Sequence, residues 1–205
     1  MHQSSLYCRV EQRYCSTMEP STDLRLATDA FLDRLHRIST AQFDLDTPCE
    51  GWNVADLINH VAVGSAMAVA LVEGASTEEA AAIMSSRVEG ELVAVCRHQL
   101  SAAVSALEGP IAHEDIVHHP VGDVPASQLL SFRIGDLTLH SWDLSRATGM
   151  NEALPQALVE RSWADFSPME PFIGSIGMFG DGPSGLLGED ADLQARLLDL
   201  TGRRA

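Results

Sequence analysis

The chain has no lysine: all 13 of its basic residues are arginine. A lysine Schiff base and a lysine general base are therefore excluded. Acidic residues outnumber basic ones 29 to 13, which gives a formal net charge of −16. A nucleic-acid partner requires a basic face for its phosphate backbone, so none is expected. Cysteine is scarce, and Cys8, Cys15, Cys49 and Cys96 show no C-x-x-C spacing. Neither a zinc ribbon nor a disulfide framework is indicated, and a reducing cytoplasm is the default location. No apolar run reads as long enough to span a bilayer, so no membrane partner is expected. Residues 1–17 carry Arg9, Glu11 and Arg13 where a secretory signal would have an apolar core. Convincing β-alternation and internal repeats are also missing. Abundant alanine, arginine and glycine without lysine suit a high-GC bacterial genome.

What remains is ordinary for a globular protein: 45% hydrophobic and 20% charged residues, in a length that supports one sizeable core. Residues 1–20 read as a weakly structured N-terminal extension, polar and without a period, with Met18 as a candidate start. Residues 21–205 read as one helical domain. Over 22–39, Leu24, Ala27, Phe31, Leu35 and Ile38 form a helical stripe, with His36 off it and exposed. Asn53 is placed to cap a helix over 53–73, with Asp56 three residues on completing the cap and Gly74 stopping it. A long helical stretch covers 77–107, interrupted, if anywhere, at Gly90. An irregular connection follows over 109–124. Asp123 and Pro125 suit the start of the next helix, which Gly149 closes. Shorter helices are expected over 155–166 and 190–201, with loop over 167–188. The architecture is all-α: four principal helices with short additional ones.

Chemistry concentrates on the helix before Gly149. Asp136 and His140 are four residues apart and lie on one face. A carboxylate and an imidazole so placed can reach one divalent cation, although such a pair is often only a surface hydrogen bond. Their neighbours Ile134, Leu137, Leu139, Trp142 and Leu144 are apolar, and buried charge needs a partner or a metal. His60 stands on the core-facing line of the 53–73 helix, where leucine is expected. Bundles build metal sites from side chains on facing helices. His60, Asp136 and His140 thus form a three-ligand set with coordination positions left open.

Other residues carry two readings. Arg133, one turn before Asp136, pairs with that carboxylate or anchors an anionic substrate. Asp143, one turn beyond His140, orients its imidazole or is a helix-surface charge. Cys49 is a packing residue by base expectation and a nucleophile by its place before the metal helix. Trp52 and Trp142 read as core anchors. His113, His118 and His119 read as exposed loop histidines. No residue declares itself as the catalytic base.

Two blocks resemble a known family. Thr47-Pro48-Cys49-Glu50-Gly51-Trp52-Asn53-Val54-Ala55-Asp56-Leu57-Ile58-Asn59-His60-Val61 is similar to a signature of actinobacterial proteins in the DinB-like superfamily, close to the N-terminal domain of mycothiol-dependent maleylpyruvate isomerase. Arg133, Asp136, His140 and the run Trp142-Asp143-Leu144-Ser145-Arg146-Ala147-Thr148-Gly149 resemble its second block, and 196–203 its usual ending. The resemblance implies a DinB-like four-helix bundle over 21–205 that holds zinc or nickel through His60, Asp136 and His140. The isomerase has glutamate at the acid position, where this chain has Asp136. It also has a second domain contributing to its active site, for which little chain remains after Phe166. The implied function is a metal-dependent transferase or hydrolase. It would act on a small substrate through a metal-activated thiol or water, with mycothiol as a candidate co-substrate and maleylpyruvate isomerisation itself not expected. The alternatives are a non-catalytic protein that binds a divalent metal or small ligand, and a bundle that has lost its metal. A homodimer through an apolar helix face is the expected assembly.

Overall fold

The computed structural model describes residues 20–109, 114–175 and 179–204. Residues 1–19 of the expected N-terminal extension and His113 lie outside them, and Pro20, expected to end that extension, begins the first helix. Seven α-helices are described: α1 (Pro20–Leu35), α2 (Val54–Val72), α3 (Thr77–Met84), α4 (Leu92–Leu107), α5 (Ala126–Thr148), α6 (Gln156–Phe166) and α7 (Leu193–Leu200). Helices α1, α2, α4 and α5 form a four-helix bundle, in which α2 packs on α4 and α5, and α1 on α5 and α4. Leu24, Phe31, Leu57, Ile58, Val61, Leu100, Ile134 and Leu137 meet in its core. A second apolar cluster joins the outer face of α5, through Leu139 and Trp142, to α6 and α7.

The start of α2 follows its sequence. Asn53 accepts from the Asp56 backbone N–H at 2.9 Å, and the Asp56 carboxylate accepts from the Asn53 N–H at 3.3 Å. Two free backbone donors of the first turn are thereby satisfied. The same helix corrects an expectation. Its 19 residues are long and apolar enough to cross a membrane by length and composition. Most of its apolar residues are instead buried inside the bundle.

Two further boundaries differ from expectation, and the interruption allowed for at Gly90 is present. Helix α1 ends at Leu35, before His36 and Arg37, although Ile38 still packs against the core. The 77–107 stretch divides into α3 and α4, with Gly90 in the break at φ +94°. Ser86 and Val88 there are held to α2 by the Asn59 side chain. The 109–124 connection contains a two-stranded antiparallel hairpin, β1 (Ile116–His119) and β2 (Gly122–Pro125). Four-residue strands are too short to display a period. The hairpin buries Val117 against Met67, Leu71 and Leu129. His119 is buried rather than exposed, its Nδ1 accepting from the Val121 N–H at 3.2 Å, and burial together with Arg133 lowers its pKa. His118 keeps the expected exposure, paired with Asp123.

Helix α5 is buried through most of its length because α1, α2 and α6 surround it. Close approach of α6 depends on Gly135. A Cβ there would lie 2.4 Å from the Phe166 ring. Alanine is the better helix former by about 1 kcal/mol, yet Gly135→Ala is expected to destabilise the fold by about 1–3 kcal/mol through overpacking. Urea denaturation measures the sign.

Candidate metal centre

The loop before α2 brings two groups to the bundle mouth. The Trp52 N–H donates to the Cys49 carbonyl at 3.0 Å, closing a turn whose third residue, Gly51, adopts φ +75°. Such a turn favours glycine at that position. The Thr47 hydroxyl locks it by donating to the Trp52 carbonyl at 2.9 Å. The Trp52 ring therefore lies over His60, with centroids 4.7 Å apart, and Cys49 faces α5.

Helices α2 and α5 supply the polar centre. His60 Nε2 lies 3.1 Å from Asp136 Oδ1, and His140 Nε2 lies 3.2 Å from the same oxygen. One donor atom from each of the three residues falls within 4.8 Å of the others. The sequence-derived trio thus converges at one point between two helices. Tetrahedral zinc with bonds of about 2.0–2.2 Å places neighbouring ligand atoms about 3.3–3.6 Å apart, so the two measured separations are a few tenths of an ångström shorter than a shared zinc ion would set.

The other Asp136 oxygen accepts from Arg133 Nη1 at 2.8 Å, while Arg133 Nη2 donates to the Ser65 hydroxyl at 3.1 Å. Gly64 makes room for this guanidinium, since a Cβ there would sit 2.6 Å from Arg133 Nη1. Arg133 is thus paired with Asp136, as the first of its two readings describes. Burial works against charge on Asp136, but His140, Arg133 and His60 hold its carboxyl well below the usual range. Burial likewise opposes charge on His140, yet Asp136, Asp143 and Cys49 raise its pKa well above the ordinary value.

Asp143 faces the opposite edge of the His140 ring. Its Oδ2 lies 2.9 Å from His140 Nδ1 and accepts from Cys49 Sγ at 3.4 Å. Asp143 is wholly buried, so the helix-surface reading of this residue is corrected. Sequence reasoning missed Arg203, which clasps both Asp143 oxygens at 2.7 Å each. Burial opposes the Asp143 charge, but Arg203 and His140 bring its pKa down to about 2. Cys49, His140 and Asp143 also cluster at metal-binding distance, but Arg203 already neutralises that carboxylate. Side-chain exposure is 23% at His60 and Asp136 and 9% at His140, so the trio opens toward solvent at His60 and Asp136.

The model of the mycothiol maleylpyruvate isomerase N-terminal domain matches residues 24–145. The chain belongs to that family. The uncharacterized protein Rv0738 of Mycobacterium tuberculosis (strain ATCC 25618 / H37Rv) is 33% identical over 147 residues, 70% of this chain and 76% of its own. The uncharacterized protein MT0763 of strain CDC 1551 / Oshkosh matches to the same extent. The crystal structure of the mycothiol-dependent maleylpyruvate isomerase superposes with a TM-score of 0.56 at 22% identity, covering 74% of this chain and 71% of that one. A histidine-to-alanine mutant of that enzyme gives the same TM-score at 23% identity, over 72% and 68%. Family membership and the isomerase likeness bear out the all-α DinB-like bundle. The family match ends before Arg203.

The Asp143 pocket sets an acid limit on stability. Its carboxyl titrates near 3.8 when unfolded and about 2 when folded. Its contribution is present above the unfolded value and disappears as pH falls toward the folded one, on the order of 2 kcal/mol. Urea unfolding between about pH 5 and about pH 2 measures the loss. Asp143→Ala strands the Arg203 charge and is expected to cost about 3–5 kcal/mol at neutral pH.

Proposed function

We propose that this protein is a metal-dependent enzyme of the mycothiol-linked class, a transferase or hydrolase acting on a small substrate. His60, Asp136 and His140 would hold the cation, zinc or nickel, and mycothiol or another low-molecular-weight thiol would be the co-substrate. The observation that carries the reading is the meeting of three ligand-type atoms at the mouth of the bundle, on a side open to solvent. Three protein ligands leave room for a reactant, whereas structural zinc is closed by four. A cation bound there supplies Lewis acidity, which makes a thiol or water nucleophilic near neutral pH.

The chain's own groups have separate tasks. Arg133 holds the Asp136 carboxylate by one oxygen and leaves the other toward the two imidazoles. Asp143 occupies His140 Nδ1, which directs Nε2 inward. Trp52 walls the site beside His60 and His140. The likeness to the isomerase at 22% identity carries the fold alone, so maleylpyruvate isomerisation is not part of the proposal.

One observation favours a second reading, a non-catalytic protein that binds a divalent metal or small ligand. Asp136, Asp143 and Cys49 are each engaged by neighbours, so none stands ready as a general base. Self-association as a homodimer belongs to either reading.

Elemental analysis of the purified protein is expected to find stoichiometric zinc or nickel, lost in His60→Ala. Full metal content in His60→Ala would reject the ligand assignment. Thiol addition to electrophilic substrates, assayed with and without mycothiol, separates the readings: turnover that depends on both thiol and metal supports the enzyme. Stoichiometric metal without turnover on any thiol supports the binding protein.

A further inference from the structure

Arg203 reaches α5 from just beyond α7, 60 residues from the carboxylate it clasps. The route is set by backbone chemistry. At the end of α7 the Gly202 N–H donates to the Asp199 carbonyl at 3.0 Å, and the Arg203 N–H to the Leu198 carbonyl at 2.8 Å. Gly202 takes φ +76° between them. This paired closure reverses the chain at a left-handed residue. Gly202 also packs on Gly180, where a Cβ would lie 2.7 Å from the Gly180 Cα. The turn is therefore fixed twice, and it delivers the next side chain to α5.

The guanidinium then meets both oxygens of a carboxylate that has no exposed surface. A buried ion pair seldom adds net stability over a well-packed apolar pair. What the planar fork does supply is orientation, because two parallel bonds fix the plane of the carboxylate. The Asp143 oxygen so fixed is the one 2.9 Å from His140 Nδ1. Nε2 of the same ring faces Asp136. Carboxylates that hold the outer nitrogen of a metal-binding histidine tune its orientation and basicity. Here the carboxylate is itself held from a distant element.

We propose that Arg203 is a positioning residue of the metal centre: by clamping Asp143 it fixes the ring of His140 with Nε2 toward Asp136 and His60. The proposal uses the metal reading above for its consequence, but the ring orientation exists without a cation. The coupling is reciprocal, since a cation that favours the fixed ring also favours the docked turn at 201–204.

The test compares Arg203→Lys, Arg203→Ala and Arg204→Ala with the parent protein. Lysine keeps the charge and loses the fork, so it guards against failure of the alanine variant to fold. Arg204 anchors the same turn, through Asp199 and the Gly182 carbonyl, without touching Asp143. It therefore reports what a merely structural role would do. In metal-free protein, imidazole 15N NMR is expected to show a sharp, slowly exchanging His140 Nδ1–H signal in the parent and in Arg204→Ala. That signal is expected to broaden in Arg203→Lys and to disappear in Arg203→Ala. Cobalt(II) titration, read by its visible spectrum, is expected to weaken about tenfold or more in the Arg203 variants alone. An unchanged His140 signal in Arg203→Lys, or an equal disturbance in Arg204→Ala, overturns the proposal. If the parent takes up no cobalt, the metal reading fails, while the ring signals still decide the role of Arg203.

Discussion

The structure turns on one carboxylate placed where a helical bundle offers little water. Asp136 has to be compensated, and three groups do so: His60 from the facing helix, and His140 and Arg133 from its own. Compensation imposes terms on the surrounding chain. Arg133 can reach the carboxylate only because Gly64 leaves space on α2, and it is steadied by Ser65 one residue on. The seam between α2 and α5 is thus specified by polar groups as well as by Val61 and Ile134. An apolar seam would tolerate small slips between the helices. A carboxylate shared by two imidazoles and a guanidinium tolerates few.

A second carboxylate lies two turns farther along α5 and plays a different part. Asp143 is closed off from solvent and satisfied by Arg203, His140 and Cys49. Asp136 keeps some exposure, and the His60 ring beside it does too. Burial separates the two: the inner carboxylate has no exposed surface, and the outer one keeps a side toward solvent. His140 belongs to both, with one ring nitrogen on each side. The loop closed by Gly51 adds Trp52 on the outer side and Cys49 on the inner side, so one short turn serves both halves.

The proposed reading of the site as a metal centre rests on the chemistry of this donor set and on membership in the mycothiol maleylpyruvate isomerase N-terminal domain family. The same contacts, taken alone, are also good hydrogen bonds between imidazoles and a carboxylate. What favours a cation is the economy of the arrangement. Two imidazoles from different helices meet a single carboxylate oxygen while Arg133 occupies the other, a donor set of metal-ligand type.

By itself the sequence determined the local items. Helix periods, the Asn53 cap and the closing Gly149 mark α2 and α5 because caps and stripes depend on residues a few places apart. The i, i+4 spacing put Asp136 and His140 on one face for the same reason, and His60 stood out as a polar residue on an apolar line. Tertiary structure decided the rest. The hairpin at 116–125 has strands too short to show a period and owes its place to the cover it gives Met67 and Leu129. Burial of His119 follows from that cover. The apolar character of α2 is equally suited to a membrane span or a bundle core, and only its packing partners choose. Arg203 could not be read as part of the site at all. Its role depends on a glycine turn that carries it across to α5, and a contact over 60 residues leaves no trace in any local pattern.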